Sequence, residues 1–292
     1  MDSSLKVALE NAISRATGDE FQIERTKAVS GGCIHNSLII IGENGGRFFV
    51  KTNTREAFAM FKAEAEALEV LARAKTIRVP KPIHAGQISQ QAYLILEALS
   101  FSVSNQTSWE EMGQQLAALH HHTAGYFGWS ADNWIGATPQ INNPENDWST
   151  FFREHRLKPQ LKIASRKGYR FAQADKLLAS VEALLRDHRP KPSLLHGDLW
   201  SGNAGFCDDG TPVIFDPASY YGDRETDLAF TKVFGGFPAA FYDAYTAAFP
   251  LEPGHETRSK LYNLYHILNH ANLFGGGYIN EAGSMIHELV NR

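Results

Sequence analysis

The segment HGDLWSGN, residues 196 to 203, sets a carboxylate, Asp198, two positions after a histidine and five before a carboxamide, Asn203. Phosphoryl transfer from ATP to a hydroxyl needs a carboxylate to accept the hydroxyl proton, and oxygen ligands for one or two magnesium ions. Asp198 suits the first task and the amide oxygen of Asn203 the second. A further carboxylate ligand belongs on a nearby strand end. AGFCDDGTPVIFD follows, two short apolar runs around a D-D-G turn, and a hairpin of this kind brings the chain back toward its start. It ends in Asp216, which is therefore expected beside Asn203 as a metal ligand. Taken singly, Asp and Asn are common turn formers. Their fixed offsets, followed by a hairpin closing on Asp, carry the chemistry. His196 is read as orienting the loop by hydrogen bonding.

A nucleotide must also be held. RFFVK is a short apolar strand ending in Lys51, placed to meet the α- and β-phosphates if a helix carboxylate fixes it. Phe61, Ala65, Leu68 and Leu71 recur at helical spacing, predicting a helix over about 55–74. Glu64 shares their face, whereas Glu66 falls with Lys62, Glu69 and Arg73 on the solvated one. Glu64 is thus the expected partner of Lys51. SGGCIHNS, with Gly31, Gly32 and Cys33, is a glycine-rich turn whose backbone amides could cover phosphates, although it lacks the G-x-G-x-x-G and Walker patterns. AYLILEAL is a buried strand, or a strand leading into a hinge where backbone groups of Glu97, Ala98 and Leu99 meet the adenine edge.

The elements that must carry these residues divide in two. Residues 1–99 read as a small lobe of strands joined by glycine-rich turns, with an amphipathic first helix (Leu5, Leu9, Ala12, Ile13 on one side) and IRVPKPIHAG as a proline-broken connection. Residues 100–292 read as mainly helical, the exception being the hairpin before Asp216. The expected fold class is α+β with two lobes. The 292 residues, 43% hydrophobic and 21% charged, are ordinary for a soluble protein. A net charge of −4 argues against a nucleic-acid or anionic-membrane partner. No apolar run approaches the roughly 20 residues that span a bilayer, and the N-terminus lacks a secretory-signal pattern. The two cysteines, Cys33 and Cys207, fit a reducing cytoplasm.

These residues resemble the fructosamine (ketosamine) kinases, relatives of aminoglycoside and choline kinases within the protein-kinase-like fold. The likeness runs through SGGCIH, FFVK, FKAEAEAL, RVPKP, GWSADNWIGATPQIN, DWSTFFREHRLKPQL, LLHGDLWSGNAGF, FDPASYYGDRETDLAF and FGGFP. HGDLxxxN marks only the broad superfamily; Trp200, TPQIN and DPASYYGDRE are more specific. The resemblance implies ATP- and magnesium-dependent phosphorylation of a ketosamine's sugar 3-hydroxyl, with ribulosamines and erythrulosamines favoured over fructosamines. Elimination from the unstable product would release the amine, which is deglycation. It implies Asp198 as proton acceptor, Asn203 and Asp216 as magnesium ligands, Lys51 and Glu64 as the phosphate-side pair, and Glu97 to Leu99 as the hinge. Asp216-Pro217-Ala218 stands where protein kinases carry D-F-G, so no phenylalanine flip is expected.

Several positions carry two readings. Trp200 is core, or stacks on the acceptor sugar. Asp223 and Glu225 begin a helix, where acids are favourable, or one of them meets the substrate's secondary ammonium. Asp227 is expected to hold the catalytic-loop backbone. His120, His121 and His122 cannot converge on one ion from consecutive helix positions. Cys33, near Lys51 and backbone amides, is a candidate redox switch, with an intersubunit disulfide as one outcome; the chain is then a monomer or a redox-dependent homodimer. Competing functions are a kinase of aminoglycosides or choline, a nucleotide-binding pseudokinase, and a His/Asp phosphohydrolase, which lacks its second metal cluster.

Overall fold

A computed structural model of the chain describes residues 1–29 and 34–291. It begins with α1 (Ser3–Thr17), strands β1 (Ile23–Val29), β2 (Asn36–Gly42) and β3 (Arg47–Thr54), α2 (Phe58–Ala74), and strands β4 (Pro82–Ile88) and β5 (Gln91–Glu97). There follow α3 (Gln106–His120), β6 (Asn133–Ile135), β7 (Thr138–Gln140), α4 (Trp148–Phe151), α5 (Lys158–Arg166), α6 (Ala174–Leu184) and β8 (Ser193–Leu194). The hairpin β9 (Ala204–Phe206) and β10 (Pro212–Ile214) precedes β11 (Tyr221–Gly222) and helices α7 (Glu225–Phe230), α8 (Ala239–Ala248), α9 (His255–Phe274) and α10 (Gly277–Val290). No described helix is long and apolar enough to cross a membrane.

These elements form two compact units, one of Met1–Ser104 with Gly205–Asp216, the other of Asn105–Ala204 with Pro217–Arg292. The sequence suggests a single division at 99/100, with the hairpin on the helical side. The hairpin instead groups with the first unit, through backbone bonds invisible in its own sequence. Ile214 N donates to Arg78 O at 3.0 Å, and Ser102 N to Phe206 O at 2.9 Å. Phe101 packs on Phe215 at 5.6 Å between ring centroids.

In the first unit, an antiparallel sheet runs in the order β1-β2-β3-β5-β4. Side chains alternate across a strand, so Val50 and Lys51 of β3 face opposite ways. Val50 joins Ile40, Tyr93 and Ile95 in the core under Leu5, Leu9 and Ile13 of α1. Lys51 faces α2. The strand β4 lies where a proline-broken connection is expected. Proline is tolerated at a sheet edge, where one row of N–H groups has no ladder to join, and β4 is an edge strand with a register shift between Pro82 and His84.

The second unit is mainly helical, with the added hairpin β6–β7. Its long helix α9 buries Leu261, Tyr262, Leu264, Tyr265, Ile267 and Leu268 in succession. Burial on nearly every side marks a central helix, and α5, α7 and α10 pack on it. From Trp148 to Arg166 the chain is helical throughout but passes through a π-helical stretch at Phe152–Leu157. Pro159 stands just beyond, at the start of α5, where a missing N–H costs little. The wide turn carries Arg156, which is fully buried.

Candidate active site

The first unit assembles one cluster of charge. The ammonium of Lys51, 4% exposed, donates to Glu64 Oε1 at 2.7 Å and to Asp216 Oδ1 at 2.6 Å. Glu64 reaches it from the inward face of α2, whereas Glu66 stays on the surface beside Lys62. Burial works against the charge on Lys51, but the two carboxylates outweigh it and raise the pKa above its ordinary value. Asp216 has φ +58°, a left-handed conformation that Asp adopts more readily than most residues. Its side chain remains 46% exposed while one oxygen engages Lys51, so the carboxylate also faces solvent.

His35 lies in the same cluster, its ring 4.8 Å from that of Phe61. Burial and then the charge of Lys51 push its pKa down to about 4. At the end of β5, the Glu97 carboxylate pairs with Arg78 at 2.6 Å, and its N–H donates to Lys81 O. Its side chain is thus committed to the strand ends. Ala98 and Leu99 continue as half-buried, irregular backbone. Gly31, Gly32 and Cys33 lie outside the described residues. Cys207 is buried, and burial raises its thiol pKa.

The second unit builds the loop after β8. Gly197, at φ +83°, passes so close to the next segment that a Cβ would stand 2.1 Å from Ala218 O. Only glycine fits there. Asp227 accepts from His196 N at 2.7 Å and from Gly197 N at 2.8 Å, as expected from its place in DLAF. Burial opposes its charge, but hydrogen bonding from His120 and the charges of His120 and His196 hold its pKa below the ordinary carboxylate value. His120 also meets Tyr245 Oη at 2.8 Å, while His121 stacks on Phe249. These neighbouring histidines diverge, as their spacing requires.

Asp198 N donates to His196 Nδ1 at 3.2 Å, which gives His196 the expected orienting contact. Asn203 turns its amide nitrogen to the Asp198 carbonyl at 2.8 Å and to Oδ2 at 3.1 Å. That orientation turns the amide oxygen away from Asp198. Trp200 is half-buried and meets Phe234 edge to face at 5.6 Å. Its indole lies over Gly202, where a Cβ would fall 2.3 Å from the ring.

The expectation of substrate contact fails for Asp223 and Glu225. Both are buried, and their carboxylates bind within the unit. Asp223 Oδ2 accepts from Tyr262 Oη and pairs with His188 Nε2, each at 2.6 Å. Glu225 takes a two-pronged ion pair from Arg258 at 2.7 and 2.8 Å. Among the described residues His188, Asp223 and Glu225 also form the one grouping with metal-ligand spacing. The Arg258 guanidinium already supplies the positive charge there.

The sequence motifs TPQIN and ASYY acquire a role that spacing alone did not show. Gln140 Nε2 donates to Ala218 O at 3.0 Å and to Asn133 Oδ1 at 2.8 Å, and Asn133 Nδ2 to Ser219 O at 2.8 Å. Tyr265 Oη donates to Gln140 Oε1 at 2.7 Å. Arg156 donates to Ile141 O and Asn142 Oδ1, and its guanidinium lies 3.9 Å over the Tyr220 ring. Ala218 N in turn donates to His196 O. These buried polar residues fix the segment lying against the Asp198 loop. His266 of α9 is a further neighbour, its Nδ1 4.0 Å from Asp198 Oδ1. Burial pushes its pKa down to about 3. Nothing in its sequence context distinguishes it from a core histidine.

The family model described as fructosamine kinase matches residues 6–292. The chain belongs to the fructosamine kinase family. Over 280 residues it is 50% identical to a Synechocystis protein assigned as a ketoamine kinase, covering 95% of this chain and 94% of that one. It is 42% identical to the chloroplastic protein-ribulosamine 3-kinase of Arabidopsis thaliana, over 94% of this chain and 85% of the relative. A crystal structure from Haemophilus somnus 129PT, assigned as a fructosamine-3-kinase, superposes with a TM-score of 0.91 at 33% identity, covering 96% of each chain. The fold extends to a macrolide 2′-phosphotransferase from Brachybacterium faecium, with a TM-score of 0.59 at 19% identity over 96% of this chain and 97% of the other. This member of the fructosamine kinase family is accordingly an α+β phosphotransferase of protein-kinase-like fold.

Proposed function

We propose that the protein uses magnesium and ATP to phosphorylate the sugar 3-hydroxyl of ketosamines, on free amines or on glycated proteins. Ribulosamines and erythrulosamines are the favoured acceptors, and the reading extends to fructosamines. The observation that carries it is the Asp198 carboxylate, braced by Asn203 in a loop whose N–H groups are tied to Asp227. In this reading the acceptor hydroxyl oxygen bonds to the γ-phosphorus, the bond to ADP breaks, and the hydroxyl proton passes to Asp198. Lys51, oriented by Glu64, binds the α- and β-phosphates, and backbone groups of residues 97–99 meet the adenine edge. Asn203 and Asp216 would hold magnesium, which supplies charge neutralisation on the transferring group. Trp200 packs against the acceptor. The phosphorylated ketosamine then eliminates phosphate to give an imine, and water hydrolyses the imine to the free amine and a dicarbonyl sugar fragment, so the activity removes the glycation. A cytoplasmic setting is part of the proposal and rests on cysteine usage.

The test is a panel of ribuloselysine, fructoselysine, an aminoglycoside and choline, each incubated with magnesium and ATP while ADP release is followed. Turnover confined to the two ketosamines supports the reading. Turnover confined to choline or the aminoglycoside replaces the acceptor class, and no turnover with bound ATP replaces catalysis with nucleotide binding.

A further inference from the structure

His266 is 4% exposed, yet its Nδ1 has no hydrogen-bond partner among the described residues. A buried polar atom left without a partner is costly, and this one is held in place. The imidazole stacks on Phe230 with centroids 3.6 Å apart and planes 6° from parallel. One helical turn on, His270 Nδ1 bonds the His266 carbonyl at 2.8 Å. The stacked ring presents Nδ1 toward Asp198 Oδ1, 4.0 Å away. That gap is too long for a direct hydrogen bond.

It does fit one intervening oxygen. An atom about 2.8 Å from both groups would subtend an angle of about 90°. A hydroxyl at that point donates its single proton to Asp198 and accepts from an imidazole N–H. Its remaining lone pair is then directed away from both. We propose that His266 binds the acceptor: its Nδ1–H holds the oxygen of the reacting hydroxyl while Asp198 receives the proton. As phosphorus–oxygen bonding begins, the O–H bond breaks toward Asp198, and the imidazole keeps its own proton throughout. His266 therefore binds and orients the hydroxyl and exchanges no proton with it. This inference rests on the proposed transfer to an alcohol.

His266→Phe retains a ring to stack on Phe230 and removes the nitrogen. His266→Asn returns an amide N–H near the position of Nδ1. With ribuloselysine, the Phe variant should lose about tenfold in kcat/KM, the worth of one hydrogen bond to a buried group. KM for ATP should stay within about twofold, and the Asn variant should recover part of the loss. Wild-type kcat/KM in a folded Phe variant would overturn the assignment, as would equal losses toward acceptor and ATP. Should the variants fail to fold, nitrogen NMR of the wild type replaces them. Ribuloselysine should shift the His266 Nδ1 resonance and its 3-deoxy analogue should not; equal shifts reject the contact. If the wild type turns over choline or an aminoglycoside instead, the ketosamine reading falls. The same kinetic comparison on that acceptor still decides for or against His266.

Discussion

Asn203 holds Asp198 twice, at its backbone carbonyl and at Oδ2, with one amide nitrogen. The carboxylate is therefore oriented before any acceptor arrives. Orientation of this kind lowers the entropy cost of reaching the reactive geometry.

Asp198→Asn preserves the shape of the loop and removes the proton acceptor. Turnover with ribuloselysine should fall by about a hundred- to ten-thousand-fold, the usual worth of a positioned base. Affinity for ATP, measured by calorimetry, should be nearly unchanged. Wild-type turnover would remove Asp198 from the mechanism.

Gly197 and Gly168 share a φ near +83°, but only Gly197 meets an obstacle, at Ala218 O. Gly168→Ala should cost about 1 kcal/mol, the strain of a left-handed alanine. Gly197→Ala adds a backbone clash to that strain and should displace the Asp198 loop. Thermal melts and turnover of the two variants separate the effects: activity should be lost in Gly197→Ala alone.

Acid should weaken the fold through His266. Its folded pKa, about 3, lies below the ordinary 6.5, so below pH 6.5 the unfolded chain binds a proton that the folded one refuses. Stability contributed by the neutral ring is complete above pH 6.5 and declines as pH falls toward 3. At pH 5 the loss from this residue is about 2 kcal/mol. Tm measured from pH 7 to pH 4 should fall less steeply in His266→Phe than in the wild type. Parallel profiles would show that the histidine titrates normally.

Peroxide or diamide should inactivate the enzyme through Cys33, with recovery in dithiothreitol. Cys207 is a poor competitor because it is buried and its thiol pKa is raised. Cys33→Ser should resist the oxidant. Equal sensitivity in both proteins would shift the site of oxidation to Cys207, and a disulfide-linked dimer on a non-reducing gel would identify the oxidised product.

The Lys51–Glu64 pair was legible because two periodicities cross there. Strand alternation turns Lys51 away from Val50, and helical spacing turns Glu64 with Phe61 and Leu68. Asp198, Asn203 and Asp216 could be named as candidates because phosphoryl transfer restricts both residue type and order. Asp223 and Glu225 were not legible. Their fates depend on Tyr262 and Arg258, some 35 residues along the chain on α9, and nothing local says that those side chains turn inward. His266 was hidden for a similar reason, since a lone histidine in a buried helical stretch resembles core. The strand β4 was obscured by Pro80 and Pro82, the second of which stands at the first position of an edge strand, where proline is tolerated.

The first unit is assembled from two stretches of chain separated by a hundred residues, Met1–Ser104 and Gly205–Asp216. A polypeptide growing from its N-terminus makes Lys51 and Glu64 long before Asp216 exists. The ammonium then has one of its two carboxylates, and Arg78 O lacks the N–H of Ile214. Maturation of this unit must wait until synthesis has passed residue 216, by which point α3 through β8 are already made. A fragment ending at residue 104 would be an unfinished intermediate, and supplying residues 205–216 as a separate peptide is the direct way to complete it.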